Sequence, residues 1–426
     1  MTPAHSSETR DMLGRKGLMA VGQARELLLE RLQYTVDAEI LPLDEALGRI
    51  SAVDICAPED LPAHPRSTMD GYAVIAADTF GASESMPCYL DVTGEVFMGE
   101  IPGQTVHRGT CQRIATGGLL PEGADSVVMF EHSVPVDATL VEIVKGVGAG
   151  SNIIGRGDDI ESGQVAVTAG RHLRPQDLGL LAGLGLTEIA VRRKPRFGIV
   201  STGDEIVAYG TTPPPGKIRN INTITLASQA RKLGAEVYDY GIVADTTESF
   251  FPAIKKAVNE NDLVVFSGGS SVGARDLGEQ AVDTLGSPGI LVHGVALRPG
   301  KPILIGLHGH TPVFGLPGHP VSAMVCFDLF VGPALEKIAG LRTESLPLSP
   351  YIDALLARNV PSAAGRRDIV RVRLDHNSVA GPIRAFPVLG KSGAISTLSR
   401  AHGYIVVDED LQGVSENSQV KVYLYQ

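Results

Sequence analysis

Between Lys194 and Gly340 short apolar runs alternate with longer amphipathic segments, and this alternation restricts the fold more than any other feature of the chain. Arg196–Ser201 (RFGIVS) is a continuous apolar run, followed by a polar loop and a helix that ends at Gly234. Val237–Val243 reads as a second strand, Thr246 to about Val258 as a helix, and Leu263–Phe266 as a third strand leading into SGGSSVG. Ile290–Ala296, Pro302–Gly306 and Pro312–Gly315 follow as strands, then a long helix over Pro320–Ile338. Apolar runs without alternation belong to strands buried on both faces, and strands joined through helices must run parallel. The segment therefore predicts a three-layer α/β/α domain. The turn at His308-Gly309-His310 reads as a hairpin, so the sheet should be mixed.

The flanking segments differ in character. Val21–Leu32 (VGQARELLLERL) and Arg174–Gly185 (RPQDLGLLAGLG) have helical spacing and boundaries. Tyr72–Ile75, Tyr89–Val92, Ser126–Phe130 and Leu140–Val144 are short β-rich runs between Gly and Pro turns. Ile369–Leu374, Tyr404–Val407 and Val420–Tyr425 repeat that pattern near the end. The expected organisation is a discontinuous N-terminal dimerisation and linker region (17–60 and 150–191), an inserted mostly-β domain (61–149), the α/β domain (192–342), and a small β-barrel-like C-terminal domain (343–426). The fold class is thus α/β plus β, multidomain. No apolar run reaches the roughly 18 residues of a membrane span, and Met1–Lys16 lacks an apolar signal region. Four separated cysteines without a Cys-x-x-Cys pair suit a reducing, cytoplasmic setting. A net charge of −11 argues against nucleic acid as a partner. It does not exclude small anions, because a few local cations can reverse the field within a cleft.

In open α/β sheets ligands bind beyond the carboxyl ends of the strands, and the polar residues here collect at those ends. They are Ser201-Thr202-Gly203-Asp204-Glu205, Asp245, Ser267-Gly268-Gly269-Ser270-Ser271-Val272-Gly273 with Asp276 just beyond, Arg298-Pro299-Gly300-Lys301-Pro302, and Gly315-Leu316-Pro317-Gly318-His319-Pro320-Val321-Ser322. Gly-rich turns entering helices offer backbone N–H groups to oxyanions, with Lys301 and Arg298 adding positive charge. Asp204, Glu205, Asp245 and Asp276 are hard oxygen ligands suited to Mg²⁺. Together they suggest metal-assisted chemistry on a phosphate-bearing ligand. Plainer readings stand beside this one. Asp245 to Glu248 fits a capping box, and Asp204 and Glu205 suit a solvated loop. SGGSSVG matches neither the P-loop nor the dinucleotide fingerprint. His308 and His310 read as turn residues and Cys326 as core, while His319 at a helix start fits either role.

Ser67-Thr68-Met69-Asp70-Gly71-Tyr72-Ala73 resembles the S-x-M-D-G-Y-A signature of molybdopterin molybdenumtransferases, the MoeA-type family related to the catalytic part of gephyrin. Arg113–Gly117 with Pro121–Asp125, Ser201–Glu205, Ser267–Asp276, Pro299–Pro302 and Gly315–Ala323 resemble further motifs of that family, in order along nearly the whole chain. The resemblance implies a homodimeric enzyme that inserts molybdate or tungstate into adenylylated molybdopterin with Mg²⁺ and releases AMP. The molybdopterin adenylyltransferase is implied as a further partner. It also implies a cleft shared between subunits, with Asp70, Glu205, Asp276 and Lys301 as catalytic residues. Thr116, Asp158 (Asp159 is the alternative), Ser267, Gly268, Gly269, Ser271, Arg298, Pro317, His319, Arg371 and Ser392 are implied in substrate binding. Asp276 with Glu205 or Asp245, and Asp204 beside them, would hold the metal. Three positions depart from the family pattern: Arg298 where lysine is usual, His319 where asparagine is common, and Arg66 before the first motif. Competing readings are the preceding adenylylation step, a nucleotide pyrophosphatase of the same α/β fold, and a non-catalytic scaffold.

Overall fold

The computed structural model describes residues 18–268, 272–342, 350–375 and 381–425, with the backbone alone for 272–276. The α/β domain is a six-stranded mixed sheet. Its strands are β1 (Arg196–Thr202), β2 (Glu236–Val243), β3 (Leu263–Gly268), β4 (Pro288–His293), β5 (Leu304–His308) and β6 (Thr311–Leu316). Its helices are α1 (Asn222–Lys232), α2 (Thr247–Glu260), α3 (Val272–Leu285) and α4 (Pro320–Cys326). The strand order is β2-β1-β3-β6-β5-β4. The first four strands in this order pair in parallel; β5 runs antiparallel to both β6, through the hairpin at Gly309 (φ +57°), and β4.

Burial explains why the strand sequences do not alternate. Phe197, Ile199, Val265 and Phe314 point to one face, where α1, the α4 segment and the N-terminal helix Val21–Arg31 cover them. Val200, Val264, Phe266 and Val313 point to the other, under α2 and α3. Each fully buried large side chain contributes about 2 kcal/mol. The connections from β1 and β3 leave towards opposite edges, so the switch point falls between them, with Thr202 opposite Gly268. A Cβ on Gly268, where φ is +145°, would lie 1.6 Å from the Thr202 carbonyl oxygen. The two strand ends therefore approach as closely as glycine allows.

The long helix expected over Pro320–Ile338 is interrupted. A π-helical turn at Phe327–Val331 separates α4 from Gly332–Ile338. Pro333 has no N–H to donate and its ring crowds the preceding turn, and the widened turn relieves both.

The inserted sheet has six strands in the order Ser126–Met129, Gly71–Val74, Thr110–Ile114, Cys88–Val96, Leu140–Ile143, Ser133–Pro135. Thr110–Ile114 occupies an interior position that its polar composition conceals. Ala38–Pro42 pairs with Glu188–Arg192, and Ile55–Cys56 with Val165–Val167, so segments before and after the insertion fold together. At the C-terminus five strands close a barrel: Arg367–Asp375, Arg384–Pro387, Tyr351–Leu356, Gln419–Leu424 and Gly403–Val407, the last returning to the first. Val372, Ala385, Ile405 and Val422 fill it. Leu297–Arg298 from the α/β domain pairs in parallel with Arg367–Asp368 of the barrel. Ile369, Tyr404 and Val406 pack on the α/β core. No helix among the described residues is long and apolar enough to cross a membrane.

In the inserted sheet a Cβ on Gly71 would meet the Val128 carbonyl oxygen at 1.9 Å, whereas one on Gly94 would meet nothing within 4 Å. Gly71→Ala should destabilise the protein by about 3 kcal/mol in denaturant unfolding, with Gly94→Ala close to neutral. Equal effects at the two sites would show that close approach is not what requires glycine in M-D-G-Y-A.

Candidate active site

The strand ends at the switch point are held by a buried polar network. The Ser201 and Thr223 hydroxyls are 2.7 Å apart, and Asn220 Nδ2 donates to both at 2.9 Å. Asn222 Nδ2 donates to Ser267 Oγ at 2.7 Å and to the Gly318 carbonyl at 2.9 Å. A single side chain at the start of α1 thus ties β3 to the loop after β6. Its Oδ1 is buried without a partner. Asn220 and Asn222 were not singled out by motif; the available signal was an Asn-x-Asn pair ahead of a helix at the sheet's carboxyl edge.

Beyond β1 the Thr202 hydroxyl donates to Asp245 Oδ1, and the Asp245 N–H approaches Asp204 Oδ1 at 3.5 Å. The capping role does not materialise: Thr246 is the N-cap residue of α2, without a side-chain cap bond. Lys217 Nζ donates to the Asp204 carbonyl, and Glu205 offers its carbonyl to the Ile218 N–H at 2.8 Å. Among the described residues no group of three His, Cys, Asp or Glu is disposed to hold a metal ion. Asp204, Glu205 and Asp245 therefore do not complete a cation site by themselves. Gly269, Ser271 and the Asp276 side chain lie outside the described residues.

The main cavity, about 1250 Å³, opens between the α/β sheet and the barrel. Gly268, Arg298, Lys301, Pro317 and His319 line it from the α/β side; Arg366, Arg371, Lys391 and Ser392 line it from the barrel. Buried Asp368 holds Arg366 Nε at 2.9 Å and Arg298 Nη1 at 3.4 Å. Lys301 and Lys391 form no ion pair with a described residue. The P-G-K-P segment requires glycine at Gly300, where a Cβ would strike Cys326 Sγ at 2.6 Å. Burial raises the pKa of the Cys326 thiol, which is core as expected.

Arg371 is only 7% exposed. Burial lowers its pKa from the usual guanidinium value. Nη2 donates to the Gly390 carbonyl at 3.2 Å, but Nε has no partner. A buried N–H left unmade is costly, and an anion in the adjoining cavity would satisfy it. His319 Nδ1 and Ser392 Oγ are 3.0 Å apart, and the Val321 N–H donates to the Ser392 carbonyl at 3.2 Å, pinning the barrel loop to the start of α4.

Several candidate residues stand elsewhere. Asp204, Glu205, Asp245, Asp70, Thr116 and Asp158 are not among the residues that line this cavity. Asp70 Oδ1 accepts the Thr116 N–H at 2.7 Å, so two motifs of the inserted domain are knitted to each other. Asp158 Oδ2 accepts the Gly155 N–H at 2.6 Å, Arg66 Nη1 donates to the Gly117 carbonyl at 3.0 Å, and the Ser267 hydroxyl is buried and engaged with Asn222.

Comparison with known proteins matches three consecutive family models: the MoeA N-terminal region (domains I and II) over residues 19–185, a probable molybdopterin binding domain over 198–337, and the MoeA C-terminal region (domain IV) over 353–425. The chain is 38% identical over 422 residues to a putative molybdopterin biosynthesis protein of Methanocaldococcus jannaschii, covering 96% of this chain and 98% of the relative. It is 34% identical over 410 residues to the molybdopterin molybdenumtransferase of Haemophilus influenzae, covering 95% and 98%. The crystal structure of a molybdopterin biosynthesis MoeA protein from Pyrococcus horikoshii superposes with a TM-score of 0.83 at 31% identity, covering 96% of this chain and all of the other.

Asn222→Ala would leave the Ser267 hydroxyl and the Gly318 carbonyl without their donor. A loss of about 2–3 kcal/mol in denaturant unfolding is expected. A loss below about 0.5 kcal/mol would show that the network does not hold the strand ends.

Proposed function

The chain belongs to the molybdopterin molybdenumtransferase family, transferases of molybdenum cofactor biosynthesis, and from that membership we propose that it inserts molybdate or tungstate into adenylylated molybdopterin and releases AMP. The observation that carries this reading is the buried Arg371 with its unpartnered Nε, lining the same cavity as Lys301. A buried N–H without a partner is costly, and an anion in the cavity would offset that cost. Lys301, Arg298 and Ser392 line the same cavity. The Gly-rich segment after β3 would receive phosphate on its amides, through Ser267, Gly268, Gly269 and Ser271, and Pro317 and His319 would border the ligand.

Mg²⁺ is proposed as the assisting metal, with Asp276 and Asp245, Glu205 and Asp204 as its oxygen donors. Bound there, it would neutralise charge on the pyrophosphate. The described carboxylates do not make a complete set, so the metal requirement rests on Asp276. The reaction is placed in the cytoplasm, which suits four free cysteines. The adenylyltransferase that makes the substrate is the proposed partner for its delivery.

A homodimer is proposed as the working form. Asp70, Thr116 and Asp158 do not line the cavity of their own chain, and a second copy would supply them to it. The edge strand β2, with Tyr238 and Ile242 exposed, offers apolar surface for such an assembly.

Incubation of the protein with adenylylated molybdopterin, Mg²⁺ and either oxyanion should release AMP, and EDTA should abolish the release. Lys301→Ala and Arg371→Ala should each lose about 100-fold or more in kcat/KM, the usual effect of deleting one positioned electrostatic donor. Oxyanion binding with no AMP release by the unaltered chain would instead support a scaffold. If the cleft is shared, mixing Asp70→Asn and Lys301→Ala chains should restore about a quarter of wild-type clefts, because half the dimers are mixed and each mixed dimer has one intact site. No recovery after demonstrated subunit exchange would assign both residues to a site within one chain.

A further inference from the structure

His293 closes β4, and Glu279 lies about two turns into α3, the helix that follows the Gly-rich segment. Glu279 Oε1 lies against His293 Nδ1, and both residues line the main cavity. Neither belongs to a motif or to the residues assigned above. β4 and β5 place His293 opposite Leu304. The Gly294 N–H donates to the Ile303 carbonyl at 2.8 Å, and the Val295 N–H to the Lys301 carbonyl at 3.0 Å. The imidazole therefore stands at the base of the loop that carries Arg298 and Lys301.

The pair has the geometry of an oriented base. A carboxylate that accepts from one ring nitrogen fixes the tautomer and leaves the lone pair on the other. Here the carboxylate holds Nδ1, and Nε2 makes no hydrogen bond to a described residue. The His293 side chain is 51% exposed and that of Glu279 32%, so the ring is open on the cavity side while the carboxylate is more recessed. Charged and titratable groups sharing the cavity are Glu279 from α3, Arg298 and Lys301 from the loop, His319 from the start of α4, and Arg366, Asp368, Arg371 and Lys391 from the barrel.

We infer that His293 is the general base of AMP release and Glu279 its positioning residue, an inference that rests on the function proposed above. As water attacks the adenylyl phosphorus, the new O–P bond forms and the P–O bond to the pterin phosphate breaks. The electron pair leaves with that phosphate, and the water proton passes to Nε2. The imidazolium, held by Glu279, then returns the proton to solvent.

The test uses the full-length chain and its His293→Gln and Glu279→Gln variants. The unaltered chain should release AMP at a rate that climbs with pH through the range where imidazole loses its proton. His293→Gln should lose that climb and about 100-fold in kcat with little change in KM. Glu279→Gln should keep the climb at roughly a tenth of the rate. A His293→Gln variant that retains the wild-type rate and pH profile within about twofold would overturn the inference. Histidine-selective NMR with inorganic pyrophosphate as probe separates this from failure of the functional reading. If the unaltered chain releases no AMP, a His293 resonance that moves on titration, and moves less in Glu279→Gln, still supports an oriented imidazole at the ligand. A resonance that stays still while other cavity histidines move would sink the role.

Discussion

The cleft depends on one joint, the parallel pairing of Leu297–Arg298 with Arg367–Asp368. At that joint a loop of the α/β domain pairs alongside a strand of the barrel, and the loop is the one that carries Arg298 and Lys301. Asp368, 3% exposed, sits between Arg298 and Arg366. A buried carboxylate is costly unless it is paired, and two guanidinium partners offset that cost here. Ile369, the next residue, inserts into the α/β core with Leu297 and Ile303. The backbone ladder, the ion cluster and the apolar anchor lie within three residues, so the two walls of the cavity cannot shift without breaking all of them.

A second set of constraints positions the ligand groups within those walls. The Gly268–Thr202 approach closes the crevice between β1 and β3, and Asn222 ties β3 to the Gly318 loop. His319 and Ser392 then tie that loop to the barrel. The chain of contacts runs from a sheet end, through a helix start, to a different domain. Each link is a hydrogen bond or a steric limit, which gives a site on loops the rigidity of the sheet beneath it.

This arrangement also marks where reading a sequence succeeds. The alternation over Lys194–Gly340 specified the sheet because burial on both faces leaves a signature in every strand, as at Ile199 and Val200. The hairpin at Gly309 was legible for the same local reason. An ordered motif pointed to Lys301, and looser matches in the last domain to Arg371 and Ser392; all three line one cavity. The contacts that were not legible join residues far apart in the chain: Arg298 to Asp368, His319 to Ser392, Asn222 to Gly318. Thr110–Ile114 was missed because its face packs while Thr110, Gln112 and Arg113 keep a polar composition. Arg384–Pro387 is too short to show a period. The π-helical turn before Pro333 was readable in principle, since proline so placed cannot extend a regular helix.

The distribution of charge gives these local features a common physical sense. The chain carries a net charge of −11, yet the cavity concentrates Arg298, Lys301, Arg366, Arg371 and Lys391 against Asp368 and Glu279. A negative exterior repels extended polyanions, whose many charges would lie on the outer surface. A small anion can pass that surface and reach the cations, where low-dielectric walls focus their field. Asp368 tempers two of the guanidinium groups, leaving Lys301, Lys391 and Arg371 without carboxylate partners among the described residues. The cavity therefore discriminates by size as well as by sign: it favours compact oxyanions and phosphate groups that can enter it whole, and its strength comes from the groups the fold leaves unpaired.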